Sequence, residues 1–487
     1  MLHLPLLRGG RPYRSLEVRP LHDVRTGEPV AEVSQANPGL IAKDLAAGNG
    51  RRALQALGVR ELLEICRRAA RLFAEADLPL GAGGESQSPD DYVRQLSATS
   101  GLPETLCRFN LEKVRTVLDG MEEVLAGLTR GLDLAVLDSG LGTQDGRRLS
   151  YLPQAEVLGA ILPSNSPGVH SLWLPALALK MPVALKPGRE EPWTPLRICQ
   201  ALMAAGLPPA ALGFYPSDHK GAAEILLRCG RSMLFGDEAT VRPWKGDARV
   251  QIHGPGWSKV LFGEDEAPRW QRHLDLLVTS IAENGGRSCL NASGVWLPGG
   301  GHGGRDLAEA LAARLATIEA LPLDHPEARL AAFPRPQVAH AISDLIDRHL
   351  RVPGAVDLTA EIRGLRGHGR VAEAGGCTFL LPTLIWCEDP GHPLANTELL
   401  FPFAAVVEVP REEMLERIGP TLVATALTED PSFERELLAC PWIDRLNLGP
   451  IPTSRISWDQ PHEGNLFAHL YRQRAIQAAA VFAEARA

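Results

Sequence analysis

Between residues 156 and 253 the chain alternates short apolar runs with helical segments, and this alternation constrains the fold more than any other feature. The helical segments repeat apolar residues at three- and four-residue steps, as in TPLRICQALMAAG and KGAAEILLRC. The short runs, which we predict as strands, are EVLGAIL, PVALKP, ALGFYP, SMLFG and RVQIHG. Strands joined through helices lie parallel in one sheet. We therefore predict a Rossmann-like parallel sheet, the layout of nucleotide-binding folds.

The remainder of the 487-residue chain predicts further units around this sheet. A second α/β segment begins near residue 257 and reaches about residue 445. Residues 40–130 show helical spacing, and SPDD at 88–91 is a helix-start signal. The stretch GTQDGRRLSY predicts a strand pair around an Asp-Gly turn, and GGGHGG at 299–304 predicts a flexible loop. The tail from residue 469 is expected to be a helix or a terminal strand.

Charge and cysteine usage narrow the classes of partner. The formal net charge is −8 and no block of Lys or Arg runs along the chain, which argues against nucleic acid and membrane partners. The longest apolar stretch contains Lys180 and Lys186, and the N-terminal MLHLPLLRGG lacks the features of a signal peptide. Eight scattered cysteines show no zinc-site spacing, so no metal is expected. We predict a cytoplasmic protein that acts on a small molecule.

Two residues are candidates for chemistry. Cys289 lies in ENGGRSCLNASGV at 283–295, where Asn and Gly allow the backbone to approach a ligand closely. A buried, inert cysteine is the alternative. Asn165 lies in LPSNSPGVH, after the first strand of the alternating region, where ligands of parallel sheets bind. Its amide is a candidate donor to an oxyanion, and a turn-forming role is the alternative.

Four motifs in the same order resemble those of the aldehyde dehydrogenase superfamily, over nearly the whole chain. PSNSP at 163–167 is similar to Pro-Trp-Asn-Phe-Pro, and KPGR at 186–189 to Lys-Pro-Ser-Glu. NGGRSC at 284–289 is similar to Asn-Ala-Gly-Gln-x-Cys, with Asn284 and Cys289 in register. ELLFP at 398–402 is similar to Glu-x-Phe-Gly-Pro. Together these matches favour a nucleophilic role for Cys289 over a buried filler.

The resemblance implies a fold and an assembly. It implies a Rossmann-like nicotinamide-cofactor domain at 1–130 and 154–256, and a second α/β domain at 257–464 that carries the nucleophile. It also implies a small oligomerisation hairpin and tail at 131–153 and 465–487. A homodimer or homotetramer is expected.

The resemblance also implies site roles. Cys289 would attack an aldehyde carbonyl, the oxyanion would be held by the Asn165 amide and the Cys289 backbone N–H, and hydride transfer would leave a thioester on the enzyme. Lys186 and Pro187 would form part of the cofactor site, and Glu398 would bind the cofactor ribose. Arg189 stands where the family has a ribose-facing glutamate, which favours NADP over NAD as cofactor. A solvent-facing Arg189 is the alternative.

Two departures from the family pattern bear on the product. The glutamate that activates the deacylating water in hydrolytic members falls on Gln251, whose amide is not a useful base. We therefore predict an acyl-CoA-linked enzyme that interconverts an aldehyde and an acyl thioester, with coenzyme A as co-substrate. A hydrolytic enzyme with another base is the first alternative. His253 is expected to face the other side of the strand as a structural residue, with a replacement base as its less favoured role.

The second departure is the cofactor loop FGDEATV at 235–241. Asp237 and Glu238 stand where the family has small residues beside the pyrophosphate, and two carboxylates there would repel a phosphate unless they point away. A catalytically silent member that acts as a scaffold is therefore a further alternative. Trp173, on the helix after the Asn165 loop, is a candidate for a substrate-tunnel wall, although simple core packing is favoured.

Overall fold

Two seven-stranded sheets form the framework of the protein. The computed structural model describes residues 1–81, 83–299, 301, 303–365, 369–461 and 463–477. No helix within these ranges is long and apolar enough to cross a bilayer. The architecture is α/β, with Rossmann-like parallel sheets, as predicted from the alternation of strands and helices.

The first sheet, here called the N-terminal sheet, contains the five strands that the sequence predicts between 156 and 253. Its strands, in spatial order, are Val250–His253, Arg231–Phe235, Leu158–Ile161, Val183–Lys186, Leu212–Phe214, Leu6–Arg8 and Arg11–Tyr13. The first five are parallel, and the last two extend the sheet by antiparallel pairing. Leu158–Ile161 is buried along its whole length, as expected for a central parallel strand whose two faces are covered.

The second sheet, here called the C-terminal sheet, lies entirely after residue 257. Its strands, in spatial order, are Ala355–Asp357, Thr383–Cys387, Phe403–Val409, Gly294–Pro298, Lys259–Phe262, Thr421–Leu427 and Ile443–Leu448. All neighbours are parallel except the pair formed by Ala355–Asp357 and Thr383–Cys387. The parallel strands direct their carboxyl ends to one edge, where the loops can build a site.

A three-stranded antiparallel sheet joins the predicted hairpin to the tail. Leu141–Gln144 and Arg147–Pro153 pair around Asp145 and Gly146, whose φ angles of 50° and 74° are typical of a two-residue hairpin turn. Tyr471–Arg474 adds to the other side of Arg147–Pro153. The tail is therefore a short helix, Leu466–Leu470, followed by a terminal strand. The predicted tail from residue 478 onward lies outside the described residues, as do positions 300 and 302 of the predicted Gly-rich loop.

Helices surround the sheets, and local sequence signals account for them. Ser88 caps the helix Pro89–Ser100 through a reciprocal capping box with Asp91, as its SPDD start signal predicts. Val59–Glu75 buries one face, and seven residues of that face pack into the hydrophobic core around the N-terminal sheet. The α-helices of the described residues are Pro38–Ala47, Gly50–Gln55, Val59–Glu75, Pro89–Ser100, Glu104–Asp119, Met121–Thr129, Val136–Ser139, His170–Trp173, Pro175–Ala178, Trp193–Ala204, His219–Arg228, Glu238–Val241, Leu274–Ala282, Gly304–Ala316, Pro336–His349, Leu358–Leu365, Met414–Arg417, Pro431–Ala439 and Leu466–Leu470. The remaining short strands are Leu2–Leu4, Val18–His22, Pro29–Ser34, Leu78–Pro79, Ser86–Gln87, Val371–Ala374 and Cys377–Leu380.

Candidate active site

A left-handed turn presents Cys289. After the helix Leu274–Ala282, residues Asn284, Gly285 and Gly286 have φ angles of 52°, 65° and 67°. A Cβ on Gly286 would lie 2.3 Å from the backbone carbon of Phe401, so only glycine fits this contact. The turn therefore packs the Cys289 segment directly against the ELLFP motif at 398–402.

Asparagine side chains tie this turn to the loop of Asn165. Asn284 accepts a hydrogen bond from Asn110 Nδ2 at 2.7 Å and donates its own Nδ2 to Ser166 Oγ at 3.0 Å. Asn165 Nδ2 donates to the Arg287 carbonyl at 2.7 Å, two residues before Cys289. The structure thus brings together the two segments, 122 residues apart in sequence, that the sequence motifs single out.

Cys289 lies where two cavities meet. The first, here called the helix-side cavity, has a volume of about 800 Å³ and lies beside Phe109 and Lys113 of the helix Glu104–Asp119. The second, the sheet-side cavity, has a volume of about 660 Å³ and lies beside strand ends of the N-terminal sheet. The residues that line both cavities are Asn165, Val169, Cys289 and Glu463. The half-buried thiol is therefore accessible from both sides, rather than sealed in a core.

Glu463, which sequence analysis did not single out, contacts the thiol directly. Cys289 Sγ donates to Glu463 Oε1 at 3.0 Å, and His253 Nδ1 donates to Glu463 Oε2 at 2.7 Å. Gln251 Nε2 donates to the Glu463 carbonyl at 2.7 Å. The expectation that His253 faces away from Gln251 is wrong, because residues two apart on a strand share a face. No local signal marks Glu463, since its partners lie more than 170 residues away.

The electrostatics of the thiol follow from these neighbours. Burial, together with the carboxylates of Glu463 and Glu398, raises the pKa of Cys289 well above its usual range, and the Lys113 ammonium opposes this rise. Burial in turn lowers the pKa of Lys113. In this structure the sulfur is therefore a thiol that donates to a carboxylate, and formation of the thiolate requires that the proton moves to a base.

Lys186 and Pro187 end the strand Val183–Lys186 at the carboxyl edge of the N-terminal sheet. A Cβ on Gly188 would lie 2.4 Å from the Pro163 carbonyl oxygen, so the KPGR turn packs on the Asn165 loop. Burial lowers the pKa of Lys186 to about 8, and nearby Arg19 adds to the effect. Among the residues that the structure describes, no carboxylate forms an ion pair with Lys186.

Arg189 and Arg19 surround the same edge. Arg189 is exposed, and its backbone carbonyl accepts a hydrogen bond from Arg19 Nη2 at 2.8 Å. Arg19 comes from the strand Val18–His22, and no sequence motif pointed to it. Three cationic side chains therefore gather where the sequence places the cofactor ribose.

Glu398 lines the sheet-side cavity together with Cys289. Burial raises the pKa of Glu398 to about 7, and hydrogen bonds from the backbone N–H groups of Trp257 and Gly256 oppose the rise. The ELLFP motif thus places a carboxyl group on the wall of the cavity that Asn165 and Cys289 share.

The two carboxylates of the FGDEATV loop are engaged within the loop. Asp237 accepts from Thr240 N at 2.9 Å and caps the helix Glu238–Val241, while Glu238 pairs with Lys245 at 2.6 Å. Both charges therefore have local partners, which reduces the repulsion that the sequence suggested. Asp237 nevertheless takes a helix N-terminal N–H that a phosphate would otherwise use.

Trp173 belongs to the core. It is fully buried, and its Nε1 donates to His170 Nδ1 at 2.8 Å. The favoured interpretation of this residue is confirmed. Over the described residues, no group of three or more His, Cys, Asp or Glu side chains is arranged to hold a metal ion.

Comparison with known proteins agrees with this geometry. A betaine aldehyde dehydrogenase from Cereibacter sphaeroides (strain ATCC 17025 / ATH 2.4.3) is 25% identical over 471 residues, which cover 91% of this chain and 89% of that protein. The crystal structure of the aldehyde dehydrogenase KauB from Pseudomonas aeruginosa has a TM-score of 0.78 at 16% identity, and covers 98% of this chain and 96% of that chain. A 3,6-anhydro-L-galactose dehydrogenase in complex with NAP has a TM-score of 0.74 at 14% identity, and covers 97% and 99%. No family model matches the chain.

The fold is that of the aldehyde dehydrogenases, with a cysteine at the junction of its two cavities. In sequence, over about nine-tenths of its length, and in fold, the chain is similar to the aldehyde dehydrogenases, which are oxidoreductases.

Proposed function

We propose that this protein oxidises a small aldehyde through a thioester on Cys289, with NAD or NADP as the hydride acceptor. The observation that carries the proposal is the position of the Cys289 thiol between two cavities whose shared rim includes Asn165. One cavity would admit the aldehyde, and the other would admit the nicotinamide.

The side chains account for the chemistry as follows. The Cys289 thiolate adds to the aldehyde carbon, and the developing oxyanion accepts hydrogen bonds from the Asn165 amide and the Cys289 backbone N–H. An amide NH₂ has two donors, and the Arg287 carbonyl takes only one from Asn165. When bound, the nicotinamide ring would accept the hydride from the reacting carbon. The acyl group then remains on sulfur as a thioester.

The donor set at the sheet edge supports cofactor binding. Among the described residues Lys186 forms no salt bridge, and Glu398 lies on the wall of the sheet-side cavity. These residues would hold the ribose hydroxyls. Arg19 and Arg189 lie beside Lys186 and would attract a 2′-phosphate, which supports NADP over NAD. The capped helix at Asp237 implies that the pyrophosphate is held by other groups than in the family pattern.

Two fates of the thioester are open to this site. The amide at Gln251 favours transfer of the acyl group to coenzyme A, since a thiol needs no base at that position. The carboxylate of Glu463, 3.0 Å from the sulfur, favours hydrolysis to a carboxylic acid. The geometry supports hydrolysis better, because it supplies the base that the sequence motif lacks.

Stopped-flow absorbance of the reduced nicotinamide tests the proposal. A panel of aldehydes is mixed with the protein and either NAD or NADP, with and without coenzyme A. We expect reduced cofactor to form, and Cys289→Ala to abolish it while leaving the thermal midpoint unchanged. Turnover that persists in Cys289→Ala would contradict the role of the thiol. Absence of any cofactor-induced rise in thermal midpoint would favour the silent scaffold.

A further inference from the structure

We infer that Glu463 is the base of this enzyme: it takes the proton of Cys289 and later that of the water that releases the acyl group, in place of the carboxylate missing at Gln251. The inference rests on the proposed function and deepens it, since it assigns the product as a carboxylic acid.

The first argument is the placement of the two carboxylate oxygens. Oε1 accepts the Cys289 thiol at 3.0 Å, within reach for direct proton transfer. Oε2 accepts His253 Nδ1 at 2.7 Å, and the Glu463 side chain is only 6% exposed. Glu463 also lines both cavities, so a water beside the acyl carbon has access to the same carboxylate.

The second argument is that the protein holds the backbone of Glu463 in an unusual conformation. Glu463 has a φ of 51°, a left-handed value that glutamate rarely adopts. Gln251 donates to its carbonyl, and a Cβ on Gly464 would lie 2.1 Å from Gln251 Nε2. Gln251 therefore retains a function, which is to anchor the loop that delivers the carboxylate.

His253 is a positioning residue in this arrangement. Its ring stacks on Phe235 with centroids 4.4 Å apart, which fixes the ring plane. The contact with Glu463 uses Nδ1, so the Nδ1–H tautomer orients the carboxylate. Among the described residues it is Glu463, and not His253, that forms a hydrogen bond with the sulfur.

The steps balance as follows. The thiol proton passes to Glu463, the S–C bond forms, and the hydride leaves carbon for the nicotinamide; Glu463 then releases its proton to solvent. Water next adds its oxygen to the acyl carbon while its proton passes to Glu463. The C–S bond breaks, the carboxylic acid departs, and Glu463 returns the proton to the thiolate. The oxidant is NAD(P), as in the proposed function.

The test uses Glu463→Gln, which preserves shape but removes the basic oxygen. General-base removal costs roughly 10²–10⁴-fold in rate, so we expect the steady-state rate to fall at least 100-fold. Loss of the nearby negative charge makes the thiolate easier to form, so in the variant the thiol releases its proton to solvent and acylation persists at a lower rate than in the wild type. Intact mass after mixing with aldehyde and cofactor should show an acyl adduct on the variant and none on the wild type. Hydroxylamine, which attacks thioesters without a base, should release the adduct.

Asp459→Asn is the matched control, because it removes an exposed carboxylate from the same C-terminal segment. It should turn over at the wild-type rate. Glu463→Asp, which keeps the charge on a shorter stem, should retain an intermediate rate and covers the case in which the glutamine variant does not fold. A steady-state rate of Glu463→Gln within about threefold of wild type would overturn the inference. Failure of the wild type to reduce cofactor would instead refute the proposed function.

A second measurement separates positioning from simple structure. His253→Phe keeps the stacked ring but removes the donor to Glu463. We expect kcat to fall with little change in KM, and the acidic limb of the pH–rate profile to move to higher pH. The titratable groups that face Glu463 and contribute to this profile are Cys289, His253, Lys113, Glu398 and Asp444. An unchanged profile would contradict the positioning role.

Discussion

Replacing Gln251 with glutamate would restore the residue that hydrolytic relatives of this motif use as a base, and the structure predicts that the change damages the enzyme. Gln251 Nε2 donates to the Glu463 carbonyl at 2.7 Å, and the buried Gln251 Oε1 has no hydrogen-bond partner among the described residues. One oxygen of a carboxylate at this position would therefore face the Glu463 carbonyl, which is an acceptor and not a donor. The other oxygen would have no hydrogen-bond donor among the described residues.

The magnitude follows from these two contacts. Loss of the amide hydrogen bond costs about 1 kcal/mol, and a buried charged group without a donor costs about 1–3 kcal/mol more. We therefore expect Gln251→Glu to lower the free energy of unfolding by about 2–4 kcal/mol at pH 8. This energetic cost applies to the ionised carboxylate and not to its protonated form, so the pKa of the introduced carboxyl is raised by about two pKa units. Stability is then close to wild type below the unfolded-state pKa, where the protonated carboxyl can donate to the Glu463 carbonyl, and is lost as pH rises through the raised folded-state pKa.

Thermal midpoints of wild type, Gln251→Glu and Gln251→Met, measured at pH 5 and pH 8, provide the assay. Gln251→Met loses the hydrogen bond without adding charge, so its deficit of about 1 kcal/mol should not depend on pH. The deficit of Gln251→Glu should grow between pH 5 and pH 8, and its steady-state rate should fall because the Glu463 loop is displaced. A Gln251→Glu enzyme that equals wild type in stability at pH 8 and turns over faster would refute the reasoning.

Two further substitutions probe the surroundings of Cys289. Lys113→Met removes the cation that lowers the pKa of the Cys289 thiol, so alkylation of Cys289 by iodoacetamide at pH 8 should slow roughly tenfold, one pKa unit being about 1.4 kcal/mol. Lys220 is exposed, and Lys220→Met should be alkylated at the wild-type rate. Equal alkylation rates for the two variants would count against the electrostatic role of Lys113. Gly286→Ala introduces backbone strain of about 1–2 kcal/mol, because alanine disfavours a left-handed conformation, and it also places a Cβ 2.3 Å from the Phe401 backbone. Gly131→Ala is the control, since Gly131 has a φ of 72° but open space around its Cβ. Gly286→Ala should therefore lower the thermal midpoint by several degrees more than Gly131→Ala. A deficit no larger than that of the control would show that the turn relaxes freely.

Local sequence determined much of this protein. The alternation from 156 to 253 predicted the parallel strands of the N-terminal sheet, because strand and helix periods are set by sterics over a few residues. The Ser-Pro-Asp-Asp signal predicted a helix cap for the same reason. The motif order pointed to Cys289 and Asn165, and the structure places them on one rim.

Tertiary structure alone decided which carboxylate meets the sulfur. Glu463 contacts Cys289, 174 residues away in sequence, and His253, 210 residues away, and Gln251 holds the backbone of the Glu463 segment. In the sequence motif, Gln251 is seen only as the replacement of a catalytic glutamate. The sequence around Glu463 shows neither periodicity nor a motif, so nothing local distinguishes it from the acidic residues that lie on the surface. Its placement arises because chain folding removes the carboxylate from water and brings the Cys289 thiol and the His253 ring to its oxygens. Such burial is a property of the packed molecule rather than of any short segment.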